Sequence, residues 1–113
     1  MYKMLIAKYN KQPNEVKQYV ISYASFLAEG ETISLNPFPV PSVKLLNPSS
    51  DTDPEIASPS LIVTNIDVST DGTEISYFAF FGTDGKRYQA TMTATTSNFQ
   101  VVESEIEFRI VEI

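Results

Sequence analysis

Carboxylates are the residues here whose spacing suggests chemistry. Asp51, Asp53 and Glu55 alternate within Asp51-Thr52-Asp53-Pro54-Glu55, a loose likeness to a calcium loop, where a hard cation is held by oxygen ligands. The stretch lacks the glycine turn and the downstream glutamate of an EF-hand, so the simpler reading is an acidic loop tip in water. Glu103, Glu105 and Glu107 project from one face of a second stretch. General acid–base work needs a cleft and a perturbed pair, whereas like charges along a strand face serve to keep an edge soluble. The chain has no His, no Cys and no Trp. The commonest proton carrier at neutral pH and the soft metal ligands are therefore missing. No nucleophile–base pair is recognisable, and we expect no catalytic, cofactor or metal site.

Apolar residues offer more. The run from Ile75 to Phe81 is apolar on both faces beyond Ser76, and a strand greasy on both sides is covered on both sides, by its own loops or by a partner. Phe78 and Phe80 are thus candidates for a partner interface, or else lie beneath the proline-rich passage. Phe38 and Val40 are further interface candidates. Tyr2, Tyr9 and Phe38 would be the aromatic platforms if the domain were a carbohydrate-binding or adhesion module. Gly82, Gly85 and Tyr88 form a structural motif: Tyr88, three residues after Gly85, is similar to the tyrosine corner of immunoglobulin-like sandwiches, whose hydroxyl ties a connection to the following strand.

Strands must position these groups. From Tyr88 the chain alternates, with Tyr88, Ala90, Met92 and Ala94 on one side and Gln89, Thr91, Thr93 and Thr95 on the other, the period of a half-buried strand. Residues 103–113 alternate likewise, with Ile106, Phe108 and Ile110 inward. Residues 2–9 read as an edge strand flanked by lysines. Residues 15–27 fit helical and two-residue spacing alike; the β-branched Val20-Ile21 favours a strand over 16–23, followed by a short helical turn at 24–28. A short strand is expected over 32–35. Six of the seven prolines fall between Asn36 and Pro59, which limits that passage to extended or edge structure, with a mobile tip at 47–58. Residues 60–68 and 73–81 form a hairpin around Asp71-Gly72, a type I′ signal, and Ser97-Asn98 marks another turn. The expected fold is an all-β, Ig-like antiparallel β-sandwich of about seven strands, one domain spanning residues 1–113.

The charge of -6 on 113 residues argues against nucleic acid as a partner, which would require clustered Lys and Arg. It is uneven: residues 1–28 carry +3 and the rest -9, a distribution that would orient the molecule in an assembly or simply leave solvated faces. No apolar run approaches the roughly twenty residues of a membrane span, and the N-terminal stretch lacks the form of a secretory signal. The alternating terminal segment is expected to leave no tail for recognition.

Two stretches together resemble a family of small phage virion proteins, the fiber-tail adaptor group of Ig-like proteins. The first is carried by Lys11, Pro13, Glu15, Tyr19, Ile21, Tyr23, Phe26, Leu27, Glu31, Thr32 and Ile33, the second by Phe81-Gly82, Gly85, Tyr88, residues 91–96 and residues 105–111. Tyr23 and Phe26 stand where tryptophans are usual in the family, and Phe81 replaces the first of a glycine pair. The resemblance implies a virion structural protein assembled in the host cytoplasm, joining tail or baseplate to fibers. It further implies several copies per particle and no enzymatic activity.

Overall fold

Strands form where alternation announced them. The computed structural model describes residues 2–112, with side chains from Ala7 onward. Its strands are β1 (Tyr2–Lys11), β2 (Lys17–Ser22), β3 (Val40–Leu45), β4 (Ile62–Val68), β5 (Glu74–Phe80), β6 (Arg87–Thr95) and β7 (Val101–Ile110). They make a four-stranded sheet, β1-β7-β6-β3, and a three-stranded sheet, β2-β5-β4. In immunoglobulin terms β2, β5 and β4 stand as B, E and D, and β7, β6 and β3 as G, F and C.

The core lies between the sheets. Tyr19, Ile21, Ile75, Tyr77 and Ala79 face Tyr88, Ala90, Met92, Ala94, Val102, Ile106, Phe108 and Ile110 across it, all buried. Alanines at 79, 90 and 94 leave room for the large rings of Tyr23, Tyr77 and Tyr88, since a core is filled by pairing small with large. Tyr23 is held by a hydrogen bond from Ser104 Oγ to its hydroxyl at 2.9 Å.

Several expectations are corrected. β1 does lie at an edge, but it runs parallel to β7, whereas every other pairing is antiparallel. β7 is consequently an interior strand, so Glu103, Glu105 and Glu107 do not guard an edge. They lie on the outer face of the four-stranded sheet, where Lys3 and Lys8 of β1 fall in register with Glu103 and Glu107. Parallel pairing thus sets the basic N-terminal segment against the acidic C-terminal one.

Residues 24–28 make the expected short turn, closed by the amides of Phe26 and Leu27 donating to Tyr23 O, and it does not extend into a helix. The short strand at 32–35 reduces to one bridge, Ile33 with Thr96. The Asp71-Gly72 turn is not type I′, because only Gly72 has positive φ; the Asp71 carboxylate accepts from Ser69 Oγ and Thr73 Oγ1 and N, which holds Asp71 itself in the ordinary region. The last strand stops at Ile110. Pro41 lies in β3, an edge strand, as proline requires.

Candidate functional site

The connection from β5 to β6 is fixed from three directions. Phe81 has φ 63° and Gly82 φ 100°, a left-handed pair that reverses the alternation so that Phe81 leaves the core face and is exposed. Phe81 is thereby separated from Ile75, Tyr77 and Ala79, which are buried. The side chain of Lys11 is buried, and Nζ donates to Phe81 O at 2.6 Å and to Gln12 O at 2.9 Å. Burial pushes the Lys11 ammonium below the ordinary lysine value, with Glu15 partly opposing it. At Gly82 a Cβ would meet Ile110 Cδ1 and Cγ1 at 2.7 Å, so glycine is required on space as well as φ. Gly85, at φ 84°, donates its amide to Ile110 O at 2.9 Å.

Tyr88 then closes the corner. Its ring is fully buried, and its hydroxyl accepts from Thr83 N at 3.1 Å and donates to Glu55 Oε1. Of the acidic loop, Asp51 is exposed as expected, but Asp53 is buried and Glu55 half-buried. Glu55 also accepts from Thr83 Oγ1 and from Ser60 N and Oγ, the last two at 2.8 and 2.7 Å. Burial pushes its carboxyl up, but the bonds from Thr83, Tyr88 and Ser60 outweigh that and hold it at about 2. Asp53 is buried, pairs with Lys86 Nζ at 2.5 Å and accepts from the amides of Ser49 and Glu55. Those partners, Lys86 foremost, keep its carboxyl far below the usual range.

With Asn47 accepting from Arg87 N at 2.7 Å, the whole 47–60 loop is tied to the 83–88 turn rather than mobile. It seals one end of the sandwich. The oxygens of Asp53 and Glu55 are committed to these donors, and no metal-holding group of three or more carboxylates occurs among the described residues.

What remains at the surface is apolar. Phe78 and Phe80 point outward from β5, the middle strand of the three-stranded sheet, and are half-buried by their neighbours. The proline-rich loop closes the sandwich end instead of lying over them. Their rings are 6.4 Å apart, and Phe80 lies 6.1 Å from Phe81. Ile62 pairs with Phe80 on the same face and is exposed, as is Val16 just before β2. Val40 is exposed on the opposite outer face, paired with Thr93, and Phe38 in the preceding connection is exposed too. Phe78 and Phe80 therefore share one outer face, whereas Val40 lies on the other and Phe38 in the connection before it.

Tyr9 offers no sugar platform, since its ring packs 4.6 Å from Tyr19 and 5.8 Å from Phe108; the side chain of Tyr2 lies outside the described residues. Among the exposed apolar residues that reading the sequence missed are Val16, Ile62, Leu35, Phe81 and Phe99. A signal for the last was present, a phenylalanine directly after the turn formers Ser97-Asn98.

A cleft of about 330 Å³ between the ends of β1 and β7 is lined by Asn10, Lys11, Gln12, Glu15, Arg109 and Val111. Its lysine donates to two backbone carbonyls.

Compared with known proteins, residues 11–109 match the family model described as podophage GP4 fiber-tail adaptor protein gp77. No curated protein matches the chain. The matched span contains the Lys11 anchor, the core tyrosines and the Tyr88 corner.

Proposed function

This chain belongs to the podophage fiber-tail adaptor family, and from that premise we propose that it is a structural component of the phage particle that joins tail or baseplate to fibers by protein–protein contact. It acts without cofactor, catalysis, nucleic acid or membrane, in several copies per particle. The observation that carries the reading is the outer face of β2-β5-β4, where Phe78, Phe80, Phe81, Ile62 and Val16 leave a continuous apolar surface. Water-facing rings at this density mark a protein contact.

Three of the four sheet edges carry features that discourage strand addition: β1 is interrupted between Leu5 and Ala7, β4 between Thr64 and Asp67, and β3 carries Pro41. The fourth edge, β2, pairs with β5 without interruption.

The test is replacement of Phe78 and Phe80 together by Ser, followed by reconstitution with the structural proteins of the particle. The expected result is loss of assembly with thermal unfolding of the isolated chain within a few degrees of wild type. A collapse of thermal stability places both rings in a structural role, and a wild-type chain absent from purified particles overturns the adaptor reading itself.

A further inference from the structure

One end of the four-stranded sheet gathers positive charge that the fold does not balance. Arg109 on β7 stands in register with Arg87 on β6, and like charges opposed on neighbouring strands repel. Arg87 is relieved by Glu107, whose carboxylate accepts from its guanidinium at 3.3 Å. Arg109 is exposed and has no acidic partner among the described residues.

Arg109 and Lys11 both border the cleft between the ends of β1 and β7. Lys11 is only 1% exposed, and its ammonium carries three N–H donors. Two go to Gln12 O and Phe81 O, and the third has no acceptor among the described residues. Glu15 is the one acid lining the cleft. Its charge partly opposes the lowering of the Lys11 ammonium, but no ion pair joins it to either cation among the described residues. Lys11 and Arg109 against Glu15 leave the cleft at +1 within a chain of charge -6.

We propose that this cleft is a binding site for a single carboxylate group. Arg109 offers the planar fork that meets a carboxylate with two parallel bonds, Lys11 offers its third N–H, and the side-chain amides of Asn10 and Gln12 add donors. Val111 gives the carbons beside the carboxylate an apolar surface. Glu15 sets the charge that fits. One negative charge neutralises the cleft, whereas a phosphate dianion leaves an uncompensated charge facing Glu15. The volume of about 330 Å³ is at the small end for ligand sites, in keeping with a short acid. The group recognised is the same whether it arrives on a free organic acid or on a polypeptide, as a chain terminus or an acidic side chain. The site uses none of the residues of the apolar face on β2-β5-β4, and it stands independently of the adaptor reading.

Chemical-shift titration of the isotope-labelled full chain tests this, at neutral pH and at an ionic strength held constant with sodium chloride. The probes are propionate, N-acetylglycine and inorganic phosphate. Both acids are expected to shift the amides of Lys11, Gln12, Arg109 and Val111 saturably, with Kd of about 1–10 mM. Lys11 is left in place because it also ties the connection from β5 to β6. Arg109→Gln leaves Tm level or higher and weakens both acids by about tenfold or more. Glu15→Gln removes the opposing charge and tightens both. Binding of both acids supports the site, and the tighter of the two assigns its source: N-acetylglycine to a carboxylate carried by a polypeptide, propionate to a free acid. Shifts that chloride alone reproduces, phosphate binding more tightly than both acids, an Arg109→Gln chain that binds as wild type, or a Glu15→Gln chain that binds more weakly overturns the proposal.

Discussion

Replacing Tyr88 by Phe isolates the corner from the core. The ring stays and no cavity opens, so what is lost is a single oxygen that accepts from Thr83 N and donates to Glu55. Glu55 keeps its bonds from Ser60 and Thr83 Oγ1, whereas the Thr83 amide loses its acceptor. An orphaned donor and one bond to a charged group together are worth about 2–3 kcal/mol, which for 113 residues lowers Tm by roughly 8–12 °C.

Urea unfolding followed by far-ultraviolet circular dichroism measures this directly, with an unchanged slope because the surface exposed is the same. The pH dependence gives a second readout. Glu55 is held at about 2, below the ordinary 4.5, so its contribution is present above the ordinary value and is lost as pH falls toward 2. Solvent screening limits that contribution to about 1–2 kcal/mol. In the variant the carboxyl is held less firmly, so the gap between the two proteins narrows between pH 5 and pH 2. A loss below about 0.5 kcal/mol at neutral pH, or a gap that widens with acid, refutes the argument.

Two further outcomes follow from the core. Tyr19 is buried, its hydroxyl has no hydrogen-bond partner among the described residues, and burial pushes its pKa up to about 12. Tyr19→Phe is therefore expected to leave stability unchanged or raise it by about 1 kcal/mol in the same urea assay, and a loss of that size would show a partner for the hydroxyl. Gly82→Ala places a Cβ 2.7 Å from Ile110 in a left-handed backbone, and the strain and overpacking together should cost about 2–4 kcal/mol; calorimetry showing a Tm within 2 °C of wild type would contradict the geometry.

Alternation determined most of the fold. Inward positions in β6 and β7 are read correctly from Tyr88, Ala90, Met92, Ala94, Ile106, Phe108 and Ile110, because a strand with one buried face repeats every two residues whatever it pairs with. Gly82, Gly85 and Tyr88 lie within one short stretch of chain, whereas Glu55, which accepts from the Tyr88 hydroxyl, is 33 positions away. What pairing decided was invisible: the parallel β1–β7 ladder turns a supposed edge into an interior strand, and direction of pairing leaves no mark on a single strand's pattern.

Long-range partners decided the rest. Phe81 leaves the alternation of β5, and its carbonyl accepts from Lys11, seventy positions away. Asp53 and Glu55 read as solvated until Lys86, Thr83 and Tyr88 are brought against them. Local spacing carries the intrinsic preferences of a segment, but the fate of a charge or a kink depends on which distant group arrives to satisfy it, and only the folded chain brings that group within reach.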